Sequence, residues 1–297
     1  PKKNLLVEPM AKNTAAAIGL ACITIRRVDP GAVTLVLSSD QIIKQKSGFL
    51  KAIRKACIKA EEGDCLVAIG IRPSRAAVEY GYLKIAQSKK IYKVERFVEK
   101  PDIKKAKAYL KSKNYLWNAG IFVWKVNSIH KAIKRHLPKL YSGLQRIEKA
   151  QGKPKYKNQL AKEYSRFENI SIDYGIMEKA RNIYAVVGDF LLADIGSWAN
   201  LSSGSYPKDA DGNIIQGLSK GIDTYDSIIF SQEQHLIATL GLRDLIVVHT
   251  PDATLVCKKD KAQDIKKLTQ ILEKDKPVCV GFGVSNPQQA RKIPRRP

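Results

Sequence analysis

The sequence predicts an α/β fold followed by a small β-rich appendage. Two observations carry this prediction. Helices and strands alternate with short connections in the N-terminal part of the chain, whereas strand-like segments follow one another without intervening helices after about residue 207. A strand-helix-strand unit of the first kind builds a sheet with flanking helices. The length of 297 residues allows one large domain with such an appendage.

The period of the apolar residues justifies each element of the first part. Apolar residues at every third or fourth position indicate helices, and short runs of β-branched residues indicate buried strands. In order, these patterns predict a helix over 13–27 with Asn13 as its N-cap, a buried parallel strand over 33–37, a helix over 47–62, strands over 65–70, 82–85 and 91–98, and a helix opened by Pro101 and Asp102 and running to about 112.

The second part continues this pattern and then changes. It predicts a strand over 120–125, a helix over 128–150 interrupted at Pro138, a Lys-rich surface loop over 151–158, a short helix over 172–180, a strand over 183–187, and a turn entering a helix over 194–200. Strands are predicted near residues 214, 228, 237, 246 and 255, and a closing helix over 262–274. The predicted domains are therefore 1–206 and 207–280, followed by a basic tail over 281–297.

Composition excludes several classes of function. The formal net charge is +24, but aromatic residues make up only 7% and no nucleic-acid motif occurs, so a nucleic-acid partner is not expected. No membrane-length apolar run or secretory signal is present, which predicts a cytoplasmic protein without a membrane partner. The five scattered cysteines, the four histidines and the glycines form no zinc motif, phosphate loop or dinucleotide fingerprint.

Polar residues that follow predicted strands are the candidate site residues, because ligands bind beyond the carboxyl ends of strands in open sheets. Asp40 and Asp194 have two interpretations, a shared Mg²⁺ site or ordinary turn and capping residues. Glu99 and Lys100 are either a sugar-phosphate contact or a surface ion pair before a helix. Asn118 carries a buried-looking amide that needs partners, and a ligand hydroxyl is one candidate.

The aromatic residues around Asn118 also leave two interpretations open. Tyr115 and Trp117 could form a wall on which a sugar stacks, or they could belong to the core. Phe122 and Trp124 alternate along a strand, which favours the core for this second pair.

Eight segments in order carry a resemblance to a known family. They are LVEPMAKNTAAAI (6–18), LVLSSD (35–40), YGY (80–82), RFVEKP (96–101), LWNAGIF (116–122), SIDYGIMEK (171–179), DIGSW (194–198) and TPDA (250–253). In this succession the chain resembles the bacterial mannose-1-phosphate guanylyltransferases of the sugar nucleotidyltransferase superfamily. The resemblance implies a Rossmann-like mixed sheet flanked by helices, and transfer of GMP from GTP to mannose 1-phosphate.

The resemblance also implies roles for individual residues and partners. Asp40 and Asp194 resemble the catalytic aspartates that bind Mg²⁺, and Lys100 resembles the group that meets the sugar phosphate. The residues that would contact the substrates are Glu99 and Asn118 at the mannose hydroxyls, Tyr80 and Gly81 in the loop beside the sugar, and Glu8 and Asn13 near the nucleoside. The appendage resembles a C-terminal domain often used in dimer contact, so a homodimer is expected.

The sequence departs from the family pattern at several positions, and these departures are the basis of an alternative functional hypothesis. The family's glycine-rich GGxGxRLxP segment does not occur, so we expect the first βα unit to be missing and activity to be impaired. Gln41 stands where the family usually has His, and Glu79 would add negative charge next to a phosphorylated ligand. The alternative hypothesis is a non-catalytic sugar-phosphate-binding relative or regulatory subunit.

Overall fold

The computed structural model describes residues 5–39, 41–43, 45–86, 91–190, 192–194, 207–231 and 235–275. The described residues form two compact units. The first unit contains those among 5–38 and 45–190, and the second contains residues 39 and 41–43 together with the described residues from 192 onward. No helix within the described ranges is both long and apolar enough to cross a membrane.

Seven α-helices and fourteen strands lie within these ranges. The helices are α1 (Asn13–Val28), α2 (Lys46–Glu61), α3 (Ile103–Ser112), α4 (Val126–His136), α5 (Pro138–Ala150), α6 (Tyr156–Arg166) and α7 (Ile265–Asp275). The strands are β1 (Val33–Val36), β2 (Gln41–Ile43), β3 (Leu66–Ile71), β4 (Tyr82–Ile85), β5 (Tyr92–Val98), β6 (Tyr115–Lys125), β7 (Ile183–Val187), β8 (Leu192–Asp194), β9 (Ile214–Gln216), β10 (Ser219–Ile222), β11 (Ile228–Ser231), β12 (Ile237–Leu240), β13 (Leu245–His249) and β14 (Thr254–Lys258).

A six-stranded mixed sheet with the order β1-β6-β3-β7-β5-β4 forms the centre of the first unit, as predicted. Only β3 and β7 pair in parallel, and the other pairings in this described sheet are antiparallel. The prediction of β1 as a buried parallel strand is wrong. It pairs with β6 in antiparallel register, and Leu35 remains 39% exposed. A β-branched run indicates a strand but not its neighbour, and here β6 lies between β1 and β3.

The core of the first unit lies between this sheet and helices α1, α4 and α5. Its largest fully buried side chains include Trp124, Leu20, Ile129 and Ile133. Phe122 stacks on Trp124 with 5.5 Å between ring centroids, which confirms the core interpretation of this pair. The helix break at Pro138 is also confirmed, since this residue opens α5 after α4 ends.

Three local predictions differ from the structure. The segment over 151–158 is not entirely loop, because α6 begins at Tyr156 and buries Leu160 and Tyr164 further along. Asn13 is the first residue of α1 and not its N-cap; its backbone is left-handed, and its Oδ1 accepts a hydrogen bond from the Thr14 N–H at 2.8 Å. The predicted helix over 172–180 is a π-helical turn over Asp173–Met177.

The second unit contains parallel coils of β-structure. Strands β9, β11 and β13 pair in parallel so that Ile214, Ile228 and Ile246 lie opposite one another, and all three are buried. Strands β10 and β12 form a second parallel pair, and β14 closes the first sheet in antiparallel register. The predicted strands and the closing helix are confirmed, although a 3-10 turn over Lys259–Asp264 precedes α7. The predicted tail over 281–297 lies outside the described residues.

Candidate active site

The loop between β3 and β4 brings a glycine against two polar side chains. The Gly81 carbonyl accepts a hydrogen bond from the Asn118 N–H at 2.8 Å, which ties the loop to β6. Tyr82 closes the loop by donating its hydroxyl to the Ala77 carbonyl at 2.9 Å. A Cβ at position 81 would overlap Glu99 Oε2, so only glycine leaves this space open.

Glu99 follows β5 and points into the space beside Gly81. Its side chain is only 11% exposed, and its N–H donates to Glu178 Oε1 at 2.9 Å. Its Oε2 atom is buried and has no hydrogen-bond partner in the part of the chain that the structure describes. A buried carboxylate oxygen without a donor is unfavourable by itself and is well suited to accept a hydrogen bond from a ligand.

Burial, helped by the neighbouring carboxylate of Asp173, raises the pKa of Glu99 to about 7. Lys100 opposes this shift, but it is the smaller influence. Burial likewise raises the pKa of Asp173. Glu99 is therefore poised to change its protonation near neutral pH, and a hydrogen-bond donor from a ligand would favour its ionised form.

Asn118 is the second polar residue beside Gly81, and both polar atoms of its buried amide have hydrogen-bond partners. Its Nδ2 donates to Asp173 Oδ1 at 3.1 Å, and its Oδ1 accepts from the Gly120 N–H at 3.1 Å. The Asn118 residue is 8% exposed. These hydrogen bonds are compatible with a ligand contact, because the amide nitrogen of Asn118 has two hydrogens and only one is directed at Asp173.

Asp173 and Glu178 are site residues that the sequence reasoning missed. They are five residues apart, a spacing that does not put two side chains on one face of an α-helix. The π-helical turn changes this geometry, since the Glu178 N–H donates to the Asp173 carbonyl at 2.9 Å. The segment over 171–179 is part of the resemblance to the family. The carboxylates of Asp173 and Glu178 within it were the sequence feature that could have indicated these site residues.

Lys100 lies at the mouth of this cluster in a strained conformation. Its φ angle is 45°, in the left-handed region that few residues other than glycine adopt, and Pro101 follows it. Its Nζ is 4.0 Å from Glu99 Oε1, and its side chain is 59% exposed. The ammonium group therefore stays available to a ligand, and strain of this kind is concentrated at binding sites.

Aromatic and charged residues extend the site beyond Gly81. Tyr80 packs on Trp117 with 5.2 Å between ring centroids, and the Arg75 guanidinium lies 5.9 Å from the Trp117 ring centroid. Arg75 also forms an ion pair with Glu79. The negative charge expected from Glu79 is thereby offset. Trp117 is half-buried beside this loop, and stacking of a sugar on its ring stays a prediction.

A side-chain hydrogen bond connects the start of α1 to the segment just before Asp173. Thr14 Oγ1 accepts a hydrogen bond from the Ile172 N–H at 2.8 Å, immediately before Asp173. Glu8 is half-buried, and its carboxylate adds to the effect of burial in raising the pKa of the Tyr164 hydroxyl. The nucleoside roles of Glu8 and Asn13 remain predictions.

Of the two predicted metal ligands, Asp40 lies outside the described residues. Asp194 ends β8, where it pairs with Gln41, the residue that follows Asp40 in the sequence. Carboxylates are hard oxygen donors of the type that Mg²⁺ prefers, and the roles of Asp40 and Asp194 as its ligands stay predictions. The predicted turn entering a helix over 194–200 lies outside the described residues from position 195 onward.

Comparison with known proteins agrees with this architecture. Residues 1–206 match the family model described as nucleotidyl transferase, and residues 219–272 match the MannoseP isomerase/GMP-like beta-helix domain. The first match covers more than half of the chain. The chain therefore belongs to the nucleotidyl transferase family, and the parallel coils of the second unit agree with the second match.

Two relatives of the chain are named for one particular reaction within this family. The chain is 35% identical over 276 residues to the mannose-1-phosphate guanylyltransferase of Sinorhizobium fredii, covering 92% of this chain and 53% of that protein. It is 34% identical over 275 residues to a putative mannose-1-phosphate guanylyltransferase of Vibrio cholerae, covering 92% of this chain and 58% of that protein. The chain thus spans a little over half the length of these relatives.

A solved structure supports the same class. The crystal structure of a protein from Thermus thermophilus, described as a mannose-1-phosphate geranyltransferase, superimposes with a TM-score of 0.76 at 32% identity. The match covers 91% of this chain and 78% of that one. The Rossmann-like nucleotidyltransferase fold expected from the sequence is confirmed.

Proposed function

We propose that this protein transfers GMP from GTP to mannose 1-phosphate, giving GDP-mannose and pyrophosphate. The observation that carries the proposal is the Glu99 carboxylate, buried beside Gly81 with an oxygen that has no protein donor in the described part of the chain. Its relatives are named for this activity. A sugar hydroxyl is a neutral donor that fits a carboxylate of raised pKa.

The acidic cluster would bind and orient the sugar. Glu99 Oε2 accepts one mannose hydroxyl, and the second hydrogen of Asn118 Nδ2 is directed at another oxygen. Asp173 fixes the Asn118 amide, while Glu178 fixes the backbone at Glu99. Trp117 and Tyr80 cover one side of the sugar. Positioning of the two reactants, together with neutralisation of charge, provides most of the rate enhancement in phosphoryl-type transfers.

Lys100 would meet the sugar phosphate. A lysine ammonium acts as a point charge toward phosphate. The proposal is supported by the 59% exposure of the Lys100 side chain and by its Nζ lying 4.0 Å from Glu99 Oε1. A phosphate oxygen of mannose 1-phosphate then attacks the α-phosphorus of GTP. The new bond is O–P, and the bond that breaks joins this phosphorus to the pyrophosphate that departs.

Asp40 and Asp194 would hold the Mg²⁺, whose chemistry here is neutralisation of charge on phosphate oxygens. Their carboxylate oxygens suit the ion. A cytoplasmic location and a homodimer through the second unit belong to the same proposal. GTP and mannose 1-phosphate are its small-molecule partners.

The test is release of pyrophosphate by the purified protein with GTP, Mg²⁺ and mannose 1-phosphate. We expect release that requires both substrates, with GTP alone and with glucose 1-phosphate as the comparison reactions. The impairment expected from the sequence stays a prediction, and the rate of this release measures it. Binding of mannose 1-phosphate without any release would instead favour the regulatory relative. A folded protein that neither binds this sugar phosphate nor releases pyrophosphate would contradict the proposal.

A further inference from the structure

A second polar cleft lies in the first unit and shares no lining residue with the Glu99 cluster. It has a volume of about 640 Å³ and no Phe, Tyr or Trp side chain in its lining. We call it the basic cavity, and its charged or titratable lining residues are Asp64, Lys131, Arg135, His136, Lys179 and Arg181. Asp64 lies just before β3 and Arg181 just before β7, so the cavity opens at the amino ends of these two parallel strands.

The charges in the basic cavity do not balance. Lys131 lies 3.4 Å from the single carboxylate, Asp64. Within the described residues, no carboxylate lies within 4.0 Å of Arg135, Lys179 or Arg181 in an ion pair. Three positive charges therefore converge from two separate segments of the chain without a counterion from the described residues. An anion bound among these side chains would interact favourably with all three charges.

The end of helix α4 explains only part of this arrangement. Basic residues in the last turn of a helix interact favourably with its macrodipole, which accounts for Arg135. Lys179 and Arg181 belong to a different segment. Burial lowers the pKa of His136, and Arg135 and Lys179 lower it further, so cations from both segments act on one ring.

The lining defines the chemical class of an occupant. Arginine presents paired donors that match phosphate oxygens, and lysine adds point charges. The volume is that of a small-molecule site, and without Phe, Tyr or Trp the lining gives no broad aromatic surface for a nucleobase to stack on. We infer that the basic cavity binds a small polyanion that carries two phosphate groups, at a site separate from the substrate site.

Calorimetric titration of the purified protein tests this inference with two probes. Inorganic pyrophosphate and 2,3-bisphosphoglycerate share the paired phosphates but differ in source, one inorganic and one organic. We expect at least one probe to bind the wild-type protein, and its affinity to fall at least 10-fold in Arg135→Ala/Arg181→Ala. A smaller loss is expected in Arg135→Lys/Arg181→Lys, which keeps the charges.

Two controls make the result specific. Lys157→Ala/Lys162→Ala removes the same charge from exposed positions of α6 and should leave the affinity unchanged. Should the arginine variant fail to fold, Lys131→Ala/Lys179→Ala is the second test, because it removes two cavity charges while both arginines stay in place. Absence of binding by both probes, or equal affinity in the wild-type, cavity and control proteins, would overturn the inference.

Discussion

The Glu99 cluster and the basic cavity lie in the same unit and handle charge in opposite ways. Asp173 accepts a hydrogen bond from the Asn118 amide, the Glu99 N–H donates to Glu178, and burial raises the pKa of both Glu99 and Asp173. The four lysines and arginines of the basic cavity are instead exposed to solvent. The comparison teaches that the first region suits neutral hydroxyl donors, whereas the second suits an anion that brings its own charge.

The largest expected effect comes from filling the space beside Gly81. A Cβ in Gly81→Ala would overlap Glu99 Oε2 and displace this carboxylate. We expect kcat/KM for mannose 1-phosphate to fall about 100-fold, since displacements of about 1 Å at a reacting site have effects of this size. Pyrophosphate-release kinetics measure the change.

Gly63→Ala is the matched control for this variant, because a Cβ at position 63 meets no atom within 4 Å. Near-normal kinetics in Gly63→Ala beside a large loss in Gly81→Ala would sharpen the comparison. Equal kinetics in both variants would show that the space beside Gly81 has no part in catalysis.

The Glu99→Gln variant tests the raised pKa of Glu99 through its effect on the free energy of unfolding. The pKa of Glu99 is raised from 4.5 to about 7 in the folded state, so its ionisation destabilises the fold as the pH rises through this interval. Glutamine cannot ionise. We expect the variant to exceed the wild type in unfolding free energy by up to about 3 kcal/mol at pH 8, and by little at pH 4.

Urea unfolding at both pH values provides the measurement. Glu95→Gln is a suitable control, because Glu95 is exposed on β5 and pairs with Lys84. A difference between wild type and Glu99→Gln that does not depend on pH would contradict the assigned pKa shift.

Lys100→Ala should have a smaller effect that is confined to the phosphate. We expect KM for mannose 1-phosphate to rise about 10-fold, the size of one lost charge-assisted hydrogen bond, with little change in unfolding free energy. The exposed Lys104 on α3 provides the control variant Lys104→Ala. If both lysine variants show the same KM, Lys100 does not contact the sugar phosphate.

Thr14→Ala should have the smallest effect and tests how the acidic cluster is held. Its hydroxyl oxygen accepts the Ile172 N–H, next to Asp173. We expect the unfolding free energy to fall by about 1 kcal/mol and KM to rise about 2-fold. Thr14→Ser should restore both values, and failure to do so would locate the effect in the lost methyl group.

The sequence predicted the alternation of helices and strands, because these elements depend on local patterns, whereas the candidate site residues came largely from the family resemblance. The need of the Asn118 amide for partners followed from its apolar surroundings, and Asp173 is such a partner. The insertion of β6 between β1 and β3 depends on pairing between distant strands, which periodicity does not encode. The roles of Asp173 and Glu178 depend on a π-helical turn that an α-helical period conceals.

Binding of mannose 1-phosphate to the Glu99 cluster is the central claim, and calorimetric titration of this sugar phosphate tests it most directly. We predict that wild type and Glu95→Gln bind with the same affinity, and that Glu99→Gln binds at least 10-fold more weakly, since an amide replaces the carboxylate that accepts the sugar hydroxyl. Equal affinity in all three proteins would contradict the assignment of this cluster as the sugar site.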